Sequence, residues 1–219
     1  MYFASRMQAG RMLASKVAVK YRDQDCAVLA LGDGGVMVGA QIAMRLHCVL
    51  TLLVSEEIML PREPDALAGI TSSGDMAYNQ HYSSGEINEL LGDYYSVVEQ
   101  EKLIKMHDMN HMMGGKGTID KRLLRGRNVI VVTDGLKDGF LVDLAAEFLK
   151  PVLIKKMVVA TPFASVKAVD RMHVLADDLF CLNVIEDYFE TDHYYDKNDV
   201  PDHQTVLTTV SKIIQKWEQ

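Results

Sequence analysis

The chain has 219 residues, 48% hydrophobic and 24% charged, with 30 acidic against 23 basic side chains and a formal net charge of −7. Such a composition belongs to a soluble globular protein with one sizeable core, and acidity without a basic cluster excludes nucleic acid as the default partner. No apolar run approaches the ~20 residues that span a bilayer, and the N-terminal stretch MYFASRMQAGRMLASK has no signal-peptide h-region. One domain over residues 1–219 is expected. The scattered Cys26, Cys48 and Cys181 read as reduced thiols, small buried hydrophobes of a cytoplasmic protein.

In chain order, residues 5–21 have an amphipathic helical pattern, with Ala9, Met12, Leu13, Val17 and Tyr21 on the apolar face. Residues 26–31 (CAVLAL) predict a buried strand. Gly32-Asp33-Gly34-Gly35 follows and opens a helix over 36–46, and residues 49–54 predict a second buried strand. Strand, glycine loop, helix and strand make a βαβ unit with a right-handed crossover. Residues 69–82 read as short strand-and-turn material. Residues 83–112 read as one long helix or two, weakened at Gly85 and Gly92 and broken at Gly114-Gly115-Lys116-Gly117.

The stretch around which the rest is arranged is residues 128–140, NVIVVTDGLKDGF. Val129 to Val132 form a β-branched run without alternation, the pattern of a strand buried on both faces. A glycine-spaced turn follows, and then Leu141, Leu144, Ala145, Phe148 and Leu149 at helical spacing. Loops at the carboxyl ends of such strands are where open α/β sheets bind ligands. Gly135 and Gly139 are expected to turn with positive φ and to let a ligand approach, with helix-start amides suited to an anion. Further on, residues 155–160 predict a strand, Thr161-Pro162 a turn, 165–175 a helix and 178–184 a strand. Residues 186–202 predict an ordered aromatic and acidic loop. A last helix over 203–217 carries Val206, Val210, Ile213, Ile214 and Trp217 on one stripe, as a core face or a dimer face. The alternation implies an α/β fold, a doubly wound, mostly parallel sheet flanked by helices.

The strand and loop of residues 128–140 resemble the signature of the type I phosphoribosyltransferases, in which a buried strand ends in two acidic residues and a loop ending Thr-Gly-x-Thr holds the 5-phosphate of phosphoribosyl pyrophosphate. Here the first acidic position is Thr133 and the second is Asp134, while Asp138 and Phe140 replace the loop threonines. FASRMQAGRMLASKV, CAVLALGDGGVMVGAQIAMRL, VLTLLVSEEIMLPREPDALAGI and LRGRNVIVVTDG extend the resemblance to a subgroup of bacterial phosphoribosyltransferases over roughly residues 3–200. That subgroup has Arg-Gly-Gly-Val where this chain has Asp33-Gly34-Gly35-Val36, and an Arg-Lys pair near Ser55-Glu56-Glu57. Its Pro-x-x-Pro-Glu segment survives as Pro61-Arg62-Glu63-Pro64-Asp65. The resemblance implies a phosphoribosyltransferase-like sheet with a small flanking hood element. It further implies that Gly34 and Gly35 face pyrophosphate, that the amides of Leu136, Lys137, Asp138 and Gly139, entered through Gly135, hold a phosphate, and that Asp134 contacts ribose or helps place Mg2+.

Carboxylates stand at several positions that the resemblance expects to approach phosphate: Asp33, Glu56 or Glu57, and Asp138. Two like charges about 4 Å apart repel by ~1 kcal/mol in water and ~4 kcal/mol at an effective dielectric near 20, so each contact costs more than about tenfold in affinity. The expected function is therefore a non-catalytic binding, regulatory or assembly protein on the transferase scaffold. The alternative is an active Mg2+-dependent phosphoribosyltransferase acting on a nitrogenous acceptor, with Lys137 turned to the phosphate or a magnesium ion bridging the carboxylates. Expected partners are a small phosphorylated or nucleotide-like ligand and a second copy in a homodimer; no membrane is involved. His107 and His111, at i and i+4 among methionines, read as a solvated helix end rather than a metal site. His193 with Tyr194, Tyr195 and Asp196 reads as a surface loop, with a place over the pocket mouth as the sharper reading.

Overall fold

The computed structural model describes residues 3–63, 65–113 and 119–217. Pro64, the glycine break at 114–117 and the side chain of Trp217 lie outside the described residues. Helix α1 (Arg6–Tyr21) starts at Ser5, whose hydroxyl accepts from the Gln8 amide. It leads into β1 (Cys26–Leu31), α2 (Gly32–Leu46) and β2 (Val49–Leu53). The second half of the sheet comes from β6 (Asn128–Val132), β7 (Lys156–Ser165) and β8 (Asp178–Ile185), with α4 (Phe140–Leu149) and α5 (Val166–Leu175) between them. The five strands run parallel in the order β2-β1-β6-β7-β8.

The expected burial on both faces holds for β1, β2 and β6, every residue of which is buried. Strand alternation divides the core. Val28, Ala30, Ile130 and Val132 pack with α1, α2 and the last helix, α6 (His203–Trp217). Ala27, Leu29, Val129 and Val131 pack with α4 and α5. The apolar stripe of α6 is a core face, since Val206, Val210 and Ile213 are buried in that first cluster.

Between β2 and β6 the chain builds the hood. Strands β3 (Ser55–Ile58), β4 (Ala68–Thr71) and β5 (Met76–Tyr78) form a small antiparallel sheet, overlaid by α3 (Ser84–Met112). Ser83 and Glu86 close the start of α3 with a reciprocal capping box, and Tyr94 leaves helical geometry in its interior (φ −115°, ψ 21°). Ile58, Ile70, Val98 and Met109 bury their side chains in the same cluster as α1 and α2, so hood and sheet share a continuous core.

Three local expectations need correction. The GDGG stretch is the first turn of α2 rather than a loop ahead of it, entered through Gly32 at φ +69°. Strand β3 is not among the elements the pattern predicts, because its two glutamates hide a strand of only four residues. Strand β7 runs through Thr161-Pro162 instead of turning there. β6 has ended by that point, with Val132 opposite Ala160, and Thr161 and Phe163 pair with Cys181 and Asn183 on either side of Pro162. The missing proline N–H therefore interrupts neither ladder.

Candidate functional site

The strand order reverses direction of growth between β1 and β6, which places a crevice at their carboxyl ends. Gly32–Gly35 border it from β1 and Thr133–Gly139 from β6, so the two glycine stretches do converge. The crevice is filled by the chain itself. Arg6, from the first turn of α1, donates through Nε to Asp134 Oδ2 at 2.7 Å. Its Nη1 donates to Asn198 Oδ1 at 3.1 Å and lies 3.9 Å from an Asp199 oxygen, and its Nη2 donates to Asp192. The guanidinium carbon sits 4.5 Å from the centre of the Tyr195 ring, a cation–π distance. The Tyr195 hydroxyl donates to the Asp134 carbonyl at 2.5 Å. The Arg6 side chain is 3% exposed and that of Asp134 17%.

The electrostatics follow from that burial. Loss of water pushes the Asp134 carboxyl above its ordinary value, against the downward pull of the Arg6 guanidinium. Arg6 is held cationic: burial opposes the charge, but Asp134 and Asp192 together raise its pKa. Burial likewise drives the Tyr195 and Tyr188 phenols up, so both stay neutral.

The glycines serve close approach rather than unusual φ. Among the described residues, the positive-φ glycines are Gly32, Gly74 and Gly126, and Gly139 has φ −83°, so the positive φ expected at Gly135 and Gly139 is absent. A methyl group at Gly34 would overlap the Asp134 carboxylate, and one at Gly35 would sit 2.8 Å from the Val132 carbonyl oxygen. At Gly135 it would strike Phe163 and the Tyr188 hydroxyl, both at 2.5 Å, and at Gly139 the Arg171 side chain.

In the loop after β6, the Leu136 amide donates to the Phe163 carbonyl at 3.1 Å, and the Ser165 amide donates back to the Leu136 carbonyl at 2.9 Å. Leu136 thus extends the sheet for one residue, and its amide is already committed. The amides of Lys137, Asp138 and Gly139 have no hydrogen-bond acceptor among the described residues. The Asp138 carboxylate accepts from the Phe140 amide at 3.0 Å, an internal anion at the start of α4. Lys137 is exposed. Beside this loop lies a cavity of about 150 Å³ bordered by Asp138, Gly139, Lys167 and Arg171.

Two of the other acidic positions also have partners within the chain. Asp33 bonds His203 Nδ1 at 2.9 Å, and Glu56 lies 3.5 Å from Lys105 of α3. Glu57 is exposed. His107 and His111 are exposed on α3. Burial pushes the Cys26 thiol up to about 11 and the Cys48 thiol up to about 12, which removes both as nucleophiles near neutral pH.

Sequence reasoning missed Arg6 and His203, and it gave Tyr195 a place over the pocket mouth only as the sharper of two readings of its loop. Arg6 lies on a helix whose visible signal is its apolar stripe, and 128 positions separate it from Asp134. Of the loop that reads as surface, Tyr194 and Tyr195 are buried and pack with Phe3 and Phe163. Phe3 also pairs with Tyr195 as a short parallel bridge, which ties the start of the chain to residues 186–202. A dense run of tyrosines in a polar segment was the available signal.

Comparison with known proteins places this architecture. The chain is 29% identical over 182 residues to "Putative phosphoribosyl transferase Rv0571c" of Mycobacterium tuberculosis H37Rv, and equally to "Putative phosphoribosyl transferase MT0597" of strain CDC 1551. The match covers 82% of this chain but 40% of each relative, so the chain spans less than half the length of these curated proteins. The crystal structure of TT1426 from Thermus thermophilus superposes with a TM-score of 0.72 at 24% identity, covering 97% of this chain and 99% of that one. No family model matches the chain. The chain is thus similar in sequence to proteins named "Putative phosphoribosyl transferase", and it shares its α/β fold with TT1426.

Proposed function

We propose that this chain uses the phosphoribosyltransferase scaffold without its chemistry, as a cytoplasmic binding, regulatory or assembly protein. The observation that carries the reading is the engagement of Asp134 by Arg6 at 2.7 Å beneath Tyr195. A carboxylate that must meet ribose hydroxyls is here spent on an internal guanidinium, and the space over Gly34 is taken by the same carboxylate. The acidic replacements have the same logic, since Asp33 is matched by His203 and Glu56 by Lys105. These partners hold carboxylates in place around the crevice, and transition-state stabilisation of a leaving polyanion needs the opposite charge. In this reading the partner is a small phosphorylated or nucleotide-like ligand bound at the Gly135–Gly139 loop, or a protein. A homodimer would use a face other than the stripe of α6.

A second reading, an active phosphoribosyltransferase, is favoured by one observation. The amides of Lys137 to Gly139, without an acceptor among the described residues, are donors of the kind that hold an anion. Among the described residues no group of three or more Asp, Glu, His or Cys side chains is arranged to hold a resident metal ion, and a magnesium ion of this second reading would arrive with the substrate phosphates. No step is therefore routed through one.

The deciding experiment is the melting temperature with and without phosphoribosyl pyrophosphate and Mg2+, alongside pyrophosphate release over a panel of nitrogenous bases. A ligand at 100 times its Kd stabilises by ~2.7 kcal/mol, a shift of several degrees. No release is expected. Release with any base, together with a magnesium-dependent shift, would establish the enzyme instead.

A further inference from the structure

The contacts of Arg6 divide into an inner and an outer set. The inner partner, Asp134, has a side chain 17% exposed. The outer partners all come from one segment that closes over the crevice. Asp192, whose side chain is 57% exposed, takes Nη2, Asn198 takes Nη1 at 3.1 Å, and Asp199 lies 3.9 Å from Nη1. Asp199 also accepts from the Arg6 amide at 3.0 Å and the Met7 amide at 3.4 Å, so it caps the start of α1. One segment thus delivers two carboxylates to the guanidinium and the free amides of a helix start. These are the groups with which a protein ordinarily holds an anionic ligand.

We propose that residues 186–203 form an intramolecular strap in which Asp192 and Asp199 stand in for an anionic ligand, so that Arg6 and the start of α1 are an anion-binding site kept closed by the chain itself. The ligand class is a phosphate or pyrophosphate group, which would replace the two carboxylates on the outward face of Arg6 while Asp134 keeps the inner one. This inference rests on the proposed reading of the chain as a non-catalytic binding protein, and it places a phosphorylated ligand at Arg6 in addition to the Gly135–Gly139 loop.

Exchange is physically feasible because the strap is held unevenly. Its 3-10 turn, Thr191–Tyr194, is the one short helical element in residues 186–202, and segments with little regular structure open at low cost. The Asp192 ion pair faces solvent, where such pairs contribute little and are screened. Against that, Tyr194 and Tyr195 are buried with Phe163, and His203 bonds Asp33, so the closed form is the resting one. Opening frees the guanidinium from two competing charges without disturbing the Ser5 cap of α1.

The test compares the wild-type chain with Asp192→Asn/Asp199→Asn, in which asparagine keeps an acceptor for Arg6 and for the α1 amides but removes both charges. Magnesium-free sodium pyrophosphate is titrated calorimetrically into each, and hydrogen exchange of residues 186–202 is followed with and without saturating pyrophosphate. The variant is expected to bind at least about tenfold more tightly, since each removed contact is of that order. Pyrophosphate is expected to speed exchange in 186–202 while β1 and β6 stay protected. Equal affinity in the two proteins, no binding by either, or tighter binding without faster exchange in 186–202 overturns the proposal. If the double variant melts without cooperativity, Asp192→Asn alone serves, with the same expected direction. Turnover of phosphoribosyl pyrophosphate by the wild type would end the non-catalytic reading and leave the outcome of this titration to be judged separately.

Discussion

Replacing Arg6 by methionine keeps most of the side-chain volume and removes the charge. Asp134 is then left buried opposite an apolar group, since its exposure is 17% and that of Arg6 was 3%. Breaking a buried pair from one side costs about 3–5 kcal/mol, against ~0–1 kcal/mol for an exposed pair. For a chain of this size that is a fall in Tm of roughly 6–20 °C. The assay is urea unfolding and thermal melting of four proteins: wild type, Arg6→Met, Asp134→Asn and the double variant. The double variant should be more stable than the sum of the single losses predicts, by at least about 1 kcal/mol, because it leaves no charge buried at position 134; the other two carboxylates that lose Arg6, Asp192 and Asp199, are more exposed. The pH dependence has a definite sign. Asp134 in the folded protein is already raised by burial, and loss of Arg6 raises it further. A carboxyl whose folded value exceeds its unfolded value stabilises below the unfolded value, and that stability is lost as pH rises through the folded value. The deficit of Arg6→Met should therefore shrink on acidification. A loss below about 1 kcal/mol, or a deficit that grows as pH falls, would refute the account of a buried, charge-paired crevice.

Tyr195→Phe removes the 2.5 Å bond to the Asp134 carbonyl and should cost about 1 kcal/mol in urea unfolding while leaving the fold intact. Gly35→Ala places a methyl group 2.8 Å from the Val132 carbonyl oxygen, so α2 must shift from β6, with an expected loss of about 1–3 kcal/mol; a neutral result would show that the helix start yields. Asp178 is held below the usual carboxylate value by its bonds from Lys20 and Tyr21, so its stabilisation is present above the unfolded value of 3.8 and is lost as pH falls through the lower folded value. Acid unfolding of Asp178→Asn should accordingly depend less on pH in that window than the wild type does.

Much of the architecture is legible in one dimension because strands buried on both faces announce themselves. Val28 to Leu31 and Val129 to Val132 must be covered on two sides, and only helices at the intervening positions can do it. The hood was less legible. Ser55 to Ile58 form a strand through antiparallel pairing with Thr71 to Ala68, a relation between segments that no local pattern records. The continuation of β7 through Pro162 is similar, because it depends on where β6 stops.

For the candidate site, the one-dimensional pattern carries the frame: two glycine stretches at the carboxyl ends of buried strands, and acid where a phosphate site needs base. Gly34, Gly35, Asp134 and Asp138 could be found that way, since composition and spacing within a few residues mark them. What those carboxylates do is settled by packing alone. Arg6 reaches Asp134 across 128 positions, and His203 reaches Asp33 across 170. Such pairs are set by the packing of α1 and α6 on one face of the sheet, and their sequence separation leaves no periodicity to read. Helix and strand patterns report which face is buried, whereas a charge's partner depends on which ends of those elements the fold brings together.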